Sequence, residues 1–245
     1  MAIIEQRREV EKGAILIPAF CEERTVADVV TQARICVPDV IVVDDASTDE
    51  TAARAEAAGA LVIRRKVNHG KGAALTEGFR YILAQGFDAV IALDADGFHD
   101  PSEISKFLET YYRTHLPVLI GNRMADVRRV PVVRRWTIRM MSFWLDRLLG
   151  VYVPDPPCGF RFYRCDVLPF LLEEESSLPS EFETLLNIAS RRIRVGSVRV
   201  TKLPKRHKSL IAPFRDLIRF ARALRKYYKK IRKSRKTVRL VEEEI

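Results

Sequence analysis

The sequence predicts an α/β fold, a mostly parallel sheet flanked by helices, continued by a basic amphipathic helix at the carboxyl end. Two observations predict the sheet. Short apolar runs alternate with helical stretches through the first half, and successive runs end in polar loops. A third observation sets the appendage apart. Between Lys202 and Arg239 sixteen Lys/Arg stand against one acid, Asp216, whereas the first 201 residues are close to neutral.

The elements follow in order. Ala14-Ile15-Leu16-Ile17 is a buried-strand run, followed by a helix around 25–35. A second strand covers 40–43, and the alanine-rich stretch 49–58 has helix-forming composition. A strand at 61–64, a helix around 71–85 and a strand at 89–93 repeat the alternation. A helix from Ser102 to about Arg113 and a strand at 118–121 complete it. Past Val130 the period changes. Val133, Trp136, Met140, Trp144 and Leu148 recur every three or four residues, flanked by Met141 and Leu145, with Arg134, Arg135, Arg139 and Arg147 on the other side. This amphipathic helix, about 131–149, belongs to a unit spanning 1–208. A second unit, 209–245, carries the stripe Leu210, Phe214, Leu217, Ile218, Ala221, Leu224 and Ile231 opposite six Lys/Arg, then a charged end.

Composition narrows the function. Apolar residues make up 47% of 245, as in a globular fold, and no apolar stretch reaches transmembrane length. The charged amino terminus is not signal-like. Cys21, Cys36, Cys158 and Cys165 show neither Cys-x-x-Cys pairing nor zinc-type histidine companions. A reduced, cytoplasmic setting is the expectation.

The chemistry gathers at three strand ends. Asp94-Ala95-Asp96-Gly97 follows the run 89–93, and ionised carboxylates at a strand end are costly to desolvate without a cation or hydrogen bonds. The pair suits a hard divalent metal, Mg²⁺ or Mn²⁺, although a helix-capping role for one Asp is the plainer alternative. Asp44-Asp45 ends the run 40–43; one nearby carboxylate or hydroxyl caps the next helix, and two adjacent acids exceed that need. Pro18-Ala19-Phe20-Cys21-Glu22-Glu23 ends the first strand. In open α/β sheets this edge is where ligands bind. No Gly-x-Gly-x-x-Gly and no Walker-type Gly-Lys-Ser/Thr follows any strand, which argues against dinucleotide oxidoreductases and P-loop ATPases.

With Asn68-His69-Gly70-Lys71-Gly72-Ala73-Ala74 between them, these motifs come in an order that resembles family 2, GT-A-fold inverting glycosyltransferases. Gly121-Asn122-Arg123, Asp155-Pro156-Pro157-Cys158-Gly159-Phe160-Arg161 and Arg206-His207-Lys208-Ser209 narrow the resemblance to the polyprenyl-phosphate, dolichol-phosphate mannose synthase-like branch. It covers roughly residues 13 to 215. The resemblance implies transfer of a hexose from a nucleotide-sugar donor, GDP-mannose or UDP-glucose in type, to a polyprenyl-phosphate acceptor. It implies a divalent metal on Asp96, with Asp94 as ligand or donor contact. The family often has Gln where Phe98 stands; Phe cannot coordinate, so His99 or water would substitute, unless His99 is a capping or surface residue. Asp44 and Asp45 would hold the nucleoside beside a wall of Pro18, Ala19 and Glu22. Lys71 would reach a donor phosphate or the base, or simply be solvated at a helix start.

A phosphate monoester is mostly dianionic at neutral pH, so such an acceptor needs cations and no base. The resemblance assigns acceptor-phosphate binding to Arg123, Arg135 or else its neighbour Arg134, Arg206 and Ser209, and catalytic weight to Asp96, Arg123 and Arg206. Cys158 stands where Ser or Thr is usual; an inverting displacement needs no covalent intermediate, so it is not expected to be a nucleophile. The two amphipathic elements suggest a peripheral position at the inner membrane face. For the helix at 131–149, packing on the sheet is the competing reading. For the tail, the partner is an anionic membrane surface. Stacking aromatics beyond Tyr227 and Tyr228 are sparse there, so nucleic acid is not the expected partner. The rivals are a related transferase with another acceptor, a sugar-phosphate nucleotidyltransferase, and a non-catalytic nucleic-acid-binding protein. The nucleotidyltransferase needs a Gly-rich loop with Arg and Lys after the first strand, which is missing here.

Overall fold

The structure is a computed structural model, and it describes residues 10–125, 132–150, 152–172, 181–201, 218 and 220–225. The chain runs β1 (Gly13–Ala19), α1 (Val26–Cys36), β2 (Val40–Asp44), α2 (Thr51–Ala57), β3 (Leu61–Arg64), α3 (Lys71–Ala84), β4 (Ala89–Ala92), α4 (Ile104–Thr114), β5 (Val118–Asn122), α5 (Val132–Leu149), β6 (Arg161–Arg164), α6 (Leu168–Leu172), α7 (Glu181–Ser190) and β7 (Val195–Arg199). The seven strands form one sheet in the order β3-β2-β1-β4-β6-β5-β7. All neighbours are parallel except β6, which is antiparallel to both β4 and β5.

The strands predicted at 61–64 and 118–121 and the helix at 71–85 agree with the structure to within a residue. β1, β2 and β4 are buried along almost their whole length, which is why they read as continuous apolar runs without alternation. α3 lies close on β1: a Cβ at Gly78 would run into the Leu16 side chain. An aromatic cluster fills the space beneath α4, with Phe107 over Phe160 at 4.4 Å and Tyr111 over Phe162 at 4.8 Å between centroids. Asp100 caps the short 3-10 turn Pro101–Glu103 ahead of α4, accepting from Ser102 N at 3.0 Å.

Register decides what shares an edge. Ala19 pairs with Asp44 and Leu16 with Ala92, so the loops after β1, β2 and β4 emerge side by side. β6 runs the other way and sets Arg161 opposite both Ala92 and Ile120. The segment entering β6, residues 155–160, therefore lies at that same edge, as does Arg123 just beyond β5.

Two packing expectations change. α5 covers nearly the predicted span, but its inward residues are Ile138, Met141 and Leu145, with Thr137 and Ser142. Val133, Trp136 and Trp144, read as the apolar stripe, stand exposed. The helix is apolar over too wide an arc for spacing alone to choose the buried side. Of the tail helix predicted from Ser209, the described part (218 and 220–225) is helical, and it buries Phe220 and Ala223 while Ala221 is exposed. Most of that predicted element lies outside the described residues. Among the described residues no helix is long and apolar enough to cross a membrane.

Candidate active site

The loops after β1 and β2 are tied together by short polar bonds. Cys21 N donates to Ser47 Oγ at 2.9 Å and Glu22 N to Thr51 Oγ1 at 2.7 Å. Asp49 accepts from Thr51 N at 3.0 Å, so it supplies the turn at the start of α2 that one of these polar groups was expected to make. Cys21 and Ala46 face each other's loops with φ of 54° and 62°, a left-handed conformation that costs a side-chain-bearing residue roughly 1–2 kcal/mol. Non-glycine residues held this way mark functional loops often enough to direct attention here.

The adjacent acids Asp44 and Asp45 divide their work. Asp45 is 2% exposed and both its oxygens are engaged within the protein. Oδ1 accepts from Arg65 Nη1 at 2.6 Å and His69 N at 3.2 Å, and Oδ2 from Gly70 N at 2.6 Å. Arg65 reaches on to Glu77 at 2.8 Å, so Asp45 clamps the turn at Gly70, whose φ is 88°, to the start of α3. Asp44, at 4% exposure, has a buried Oδ1 with no hydrogen-bond partner among the described residues. An acceptor left open in this way is what a bound ligand's N–H or O–H would satisfy.

Lys71 opens α3 and places Nζ 2.5 Å from Asp94 Oδ1. Gly159 lies directly against that pair: a Cβ there would stand 2.7 Å from Asp94 Oδ2 and 2.8 Å from Lys71 Nζ. A small cleft beside it is floored by Leu75, Phe79, Ala92 and Tyr163 and bounded by Thr184. Asp96 Oδ1 accepts from Phe98 N at 3.1 Å, closing the turn in which Gly97 takes φ 68°. Thr25 Oγ1 donates to Ala95 O at 2.7 Å and joins this turn to the β1 loop. Glu22, beside it, is pushed up to about 7 by burial and then by Asp96 and Asp94. Burial and the neighbouring carboxylates both favour its protonated form, and a hard divalent cation on Asp94 and Asp96 would offset the carboxylate part.

His99 is 1% exposed, packed 5.2 Å from Phe160, with Nε2 3.9 Å from Asp94 Oδ2. Burial pulls its pKa down to about 4, so the imidazole is neutral at pH 7, the form that binds metals. Among the described residues no three His, Cys, Asp or Glu side chains form a ready-made cluster.

The opposite wall is built around a buried ion pair. Arg123 gives Nε to Asp155 Oδ2 at 2.7 Å and Nη2 to Oδ1 at 2.9 Å, and its own N–H donates to Oδ2 at 3.1 Å. Asp155 is fully buried. Burial alone would neutralise both groups. Asp155 nevertheless holds Arg123 above its ordinary pKa, and Arg123 holds Asp155 below its own. Arg134 on α5 adds to the depression of Asp155, and Ser142 Oγ reaches Pro154 O at 3.4 Å, so α5 is anchored beside this pair. Arg161 donates from Nε to Cys158 O and from Nη2 to Pro156 O, both at 2.7 Å, and fixes the loop that carries Gly159. Burial pushes the Cys158 thiol up to about 11, which keeps it protonated and unreactive at neutral pH.

The structure thus brings together Pro18, Ala19, Glu22, Asp44, Asp45, Lys71, Asp94, Asp96, His99 and Arg123 at one sheet edge, with Arg135 half-buried on α5 near its start. Arg206 and Ser209 lie outside the described residues. Sequence reasoning missed the parts played by Asp155, Thr25, Arg65 and Arg161. Asp155 and Arg161 left a signal, as the first and last residues of a motif already singled out.

Residues 14–171 match the family model described as Glycosyl transferase family 2. The chain belongs to glycosyl transferase family 2. It is 35% identical over 168 residues to an undecaprenyl-phosphate mannosyltransferase of Micrococcus luteus, a match covering 62% of this chain and 66% of that protein. To a polyprenol monophosphomannose synthase of Mycolicibacterium smegmatis it is 31% identical over 172 residues, 66% of this chain and 64% of the other. The aligned stretch is thus just under two thirds of either relative's length. Glucosyl-3-phosphoglycerate synthase from Mycobacterium tuberculosis, solved in complex with Mn²⁺, UDP and phosphoglyceric acid, shares the fold. The TM-score is 0.70 at 22% identity, covering 88% of this chain and 78% of that one. The architecture of this family 2 chain is accordingly the GT-A-like α/β fold that its sequence predicts.

Proposed function

We propose that this family 2 protein transfers a hexose from a nucleotide sugar to a polyprenyl phosphate at a membrane surface, inverting the anomeric centre. The observation that carries the reading is the pairing of two unlike walls across one edge. One wall has surplus carboxylate at Glu22, Asp94 and Asp96. The other has a guanidinium locked in place by a buried acid. The first suits a nucleoside diphosphate with its cation; the second suits an acceptor that is itself an anion.

Asp44, with its open buried oxygen, takes the nucleoside, and Pro18, Ala19 and Glu22 line the wall beside it. Asp45 serves the donor indirectly by fixing the Gly70 turn and hence Lys71. Asp96 and Asp94 hold the cation, Mg²⁺ or Mn²⁺, with His99 supporting Asp94. When bound, that cation would neutralise charge on the departing diphosphate as a Lewis acid. Lys71 turns from Asp94 toward the donor phosphates. Arg123 orients the acceptor phosphate, because Asp155 fixes its planar fork in one direction. Arg135, Arg206 and Ser209 complete that anion site. The phosphate oxygen attacks the anomeric carbon, the bond to the nucleoside diphosphate breaks, and no protein base is required.

Support for the acceptor comes from the undecaprenyl-phosphate and polyprenol relatives, and support for the cation from the Mn²⁺ and Mg²⁺ complexes of the structural neighbour. Residues 209–245, as a basic unit, would add an electrostatic hold on anionic lipid at the cytoplasmic face. The test offers GDP- and UDP-sugars with polyprenyl phosphate, free polyprenol or phosphoglycerate, with Mg²⁺, Mn²⁺ or EDTA. Metal-dependent product on polyprenyl phosphate alone is expected. Transfer to the free alcohol or to phosphoglycerate instead overturns the acceptor assignment.

A further inference from the structure

Glu103 occupies the capping position at the start of α4, yet its carboxylate makes no capping bond to that helix. The residue is 4% exposed, and burying an ionised carboxylate is costly unless hydrogen bonds or a cation compensate it. Two partners do so. Lys106 Nζ, one turn on in α4, lies 2.6 Å from Oε1. Thr201, 98 residues on, donates its backbone N–H to Oε2 at 2.8 Å and its Oγ1 to Oε1 at 3.0 Å. The Lys106 side chain is half exposed, and a pair within one helix needs no burial, so it is the bonds from Thr201 that put the buried position to use.

We infer that Glu103 is a positioning residue of the acceptor wall, acting through the end of β7 on the backbone that carries Arg123. β7 is the outermost strand and pairs with β5 alone, so its end depends on what else holds it. Val200, the residue before Thr201, donates its N–H to Asn122 O at 3.2 Å. That carbonyl belongs to the peptide that leads into Arg123. Arg199 pairs with Asn122 in the sheet, and a Cβ on Gly121 would stand 3.1 Å from Val200 Cγ2, so the ends of β5 and β7 are in close contact. Asn122 Oδ1 in turn accepts from Met124 N at 2.9 Å and shapes the turn that starts at Arg123. Arg123 is thereby held twice, at its guanidinium by Asp155 and at its backbone root by β7. Glu103 closes the second hold. It also stands on the 3-10 turn that Asp100 caps, directly after the turn of Asp96, so the tie fixes the acceptor wall relative to the donor acids. The role rests on the reading of Arg123 as the group that meets the acceptor phosphate.

The test has two readouts on the full-length protein. Amide hydrogen exchange comes first, without donor or acceptor. Glu103→Gln should speed exchange at Val200 and Thr201 and also at Arg123 and Met124, while β1 and β4 exchange as in the parent. Steady-state transfer to a short-chain polyprenyl phosphate comes second. Acceptor KM should rise on the order of tenfold, with kcat and calorimetric donor affinity held within about twofold. Thr201→Val, a milder change at an exposed residue, should move both readouts the same way. The double variant should be no worse than Glu103→Gln alone, because both changes act through one contact. Lys106→Met removes only the pair within α4 and should move neither readout. Faster exchange confined to the start of α4 would overturn the inference, since Glu103 would then serve its own helix. An unchanged acceptor KM, additive losses in the double variant, or an equal effect of Lys106→Met would overturn it as well. Exchange needs no substrate, so a lack of transfer to polyprenyl phosphate in the parent counts against the proposed function, whereas unchanged exchange at Arg123 and Met124 counts against the tie whatever the acceptor.

Discussion

The two walls of the site solve opposite electrostatic problems. On the donor side, burial first and then the neighbouring carboxylates Asp96 and Asp94 raise Glu22 to about 7, while Lys71 pairs with Asp94. On the acceptor side the protein satisfies its own charges first. Arg123 and Asp155 form a two-pronged pair with Asp155 wholly buried. On the proposed function, the contrast means that the donor wall is left incomplete for a cation and a nucleoside, while the acceptor wall is finished in advance and holds its guanidinium rigidly. Binding should therefore reorganise the donor wall and leave the acceptor wall still.

The sharpest way to break this comparison is at Asp96. Asp96→Ala should reduce turnover by on the order of 10³-fold, the scale of losing a group that stabilises transition-state charge, with thermal stability kept or raised. Activity near that of the parent, in a metal-titrated transfer assay, removes the cation from the donor wall. Next comes Asp155→Ala, which leaves a buried guanidinium without its partner and should cost about 3–5 kcal/mol in chemical denaturation. A loss below about 1 kcal/mol would mean that the acceptor wall is not finished in advance.

A smaller effect is expected at Gly159. Gly159→Ala places a methyl group between Lys71 and Asp94 and should cost about 1–3 kcal/mol, with weaker donor binding seen by calorimetry and little change in acceptor KM. Asp45→Asn tests the clamp. It weakens the acceptors for Arg65 and the Gly70 turn, for roughly 1–2 kcal/mol, and donor KM should rise through Lys71, because both Asp45 oxygens are engaged within the protein.

The smallest effects are in pH dependence, measured as denaturation midpoints in EDTA. Glu22 binds a proton more tightly folded than unfolded, so its contribution falls as pH rises from about 4.5 to about 7. His99 is the reverse. Its folded pKa of about 4 lies below the ordinary 6.5, so its contribution is full above 6.5 and is lost as pH falls toward 4. Glu22→Gln should make stability climb more with pH, and His99→Phe should make it climb less. Identical slopes in the two variants would remove the crowded-acid picture of the donor wall.

The sequence by itself determined the donor half. Runs 14–17, 40–43 and 89–93 are apolar because both faces of a central parallel strand are covered, and their ends had to carry the polar loops. Asp44, Asp45, Asp94 and Asp96 were legible for that reason, from local pattern alone. What local pattern did not contain was how neighbours share work. Asp44 and Asp45 look alike in sequence, and only the return of the Gly70 turn across β2 makes one a clamp and the other an open acceptor. The acceptor half depended still more on distant partners. β6 is four residues long and antiparallel, and nothing nearby in sequence announces that it slots between β4 and β5. That reversal carries residues 155–160 back to the active edge, sets Asp155 under Arg123 and presses Gly159 on the Lys71–Asp94 pair. α5 shows the same limit. Its period was plain, but a helix apolar over most of its girth can bury either side, and contact with α7 and Pro154 chose the one that leaves Trp136 and Trp144 in the open. Strand ends are fixed by the covalent order of residues; pairings across the sheet are fixed by register and packing, which exist only once the chain has folded.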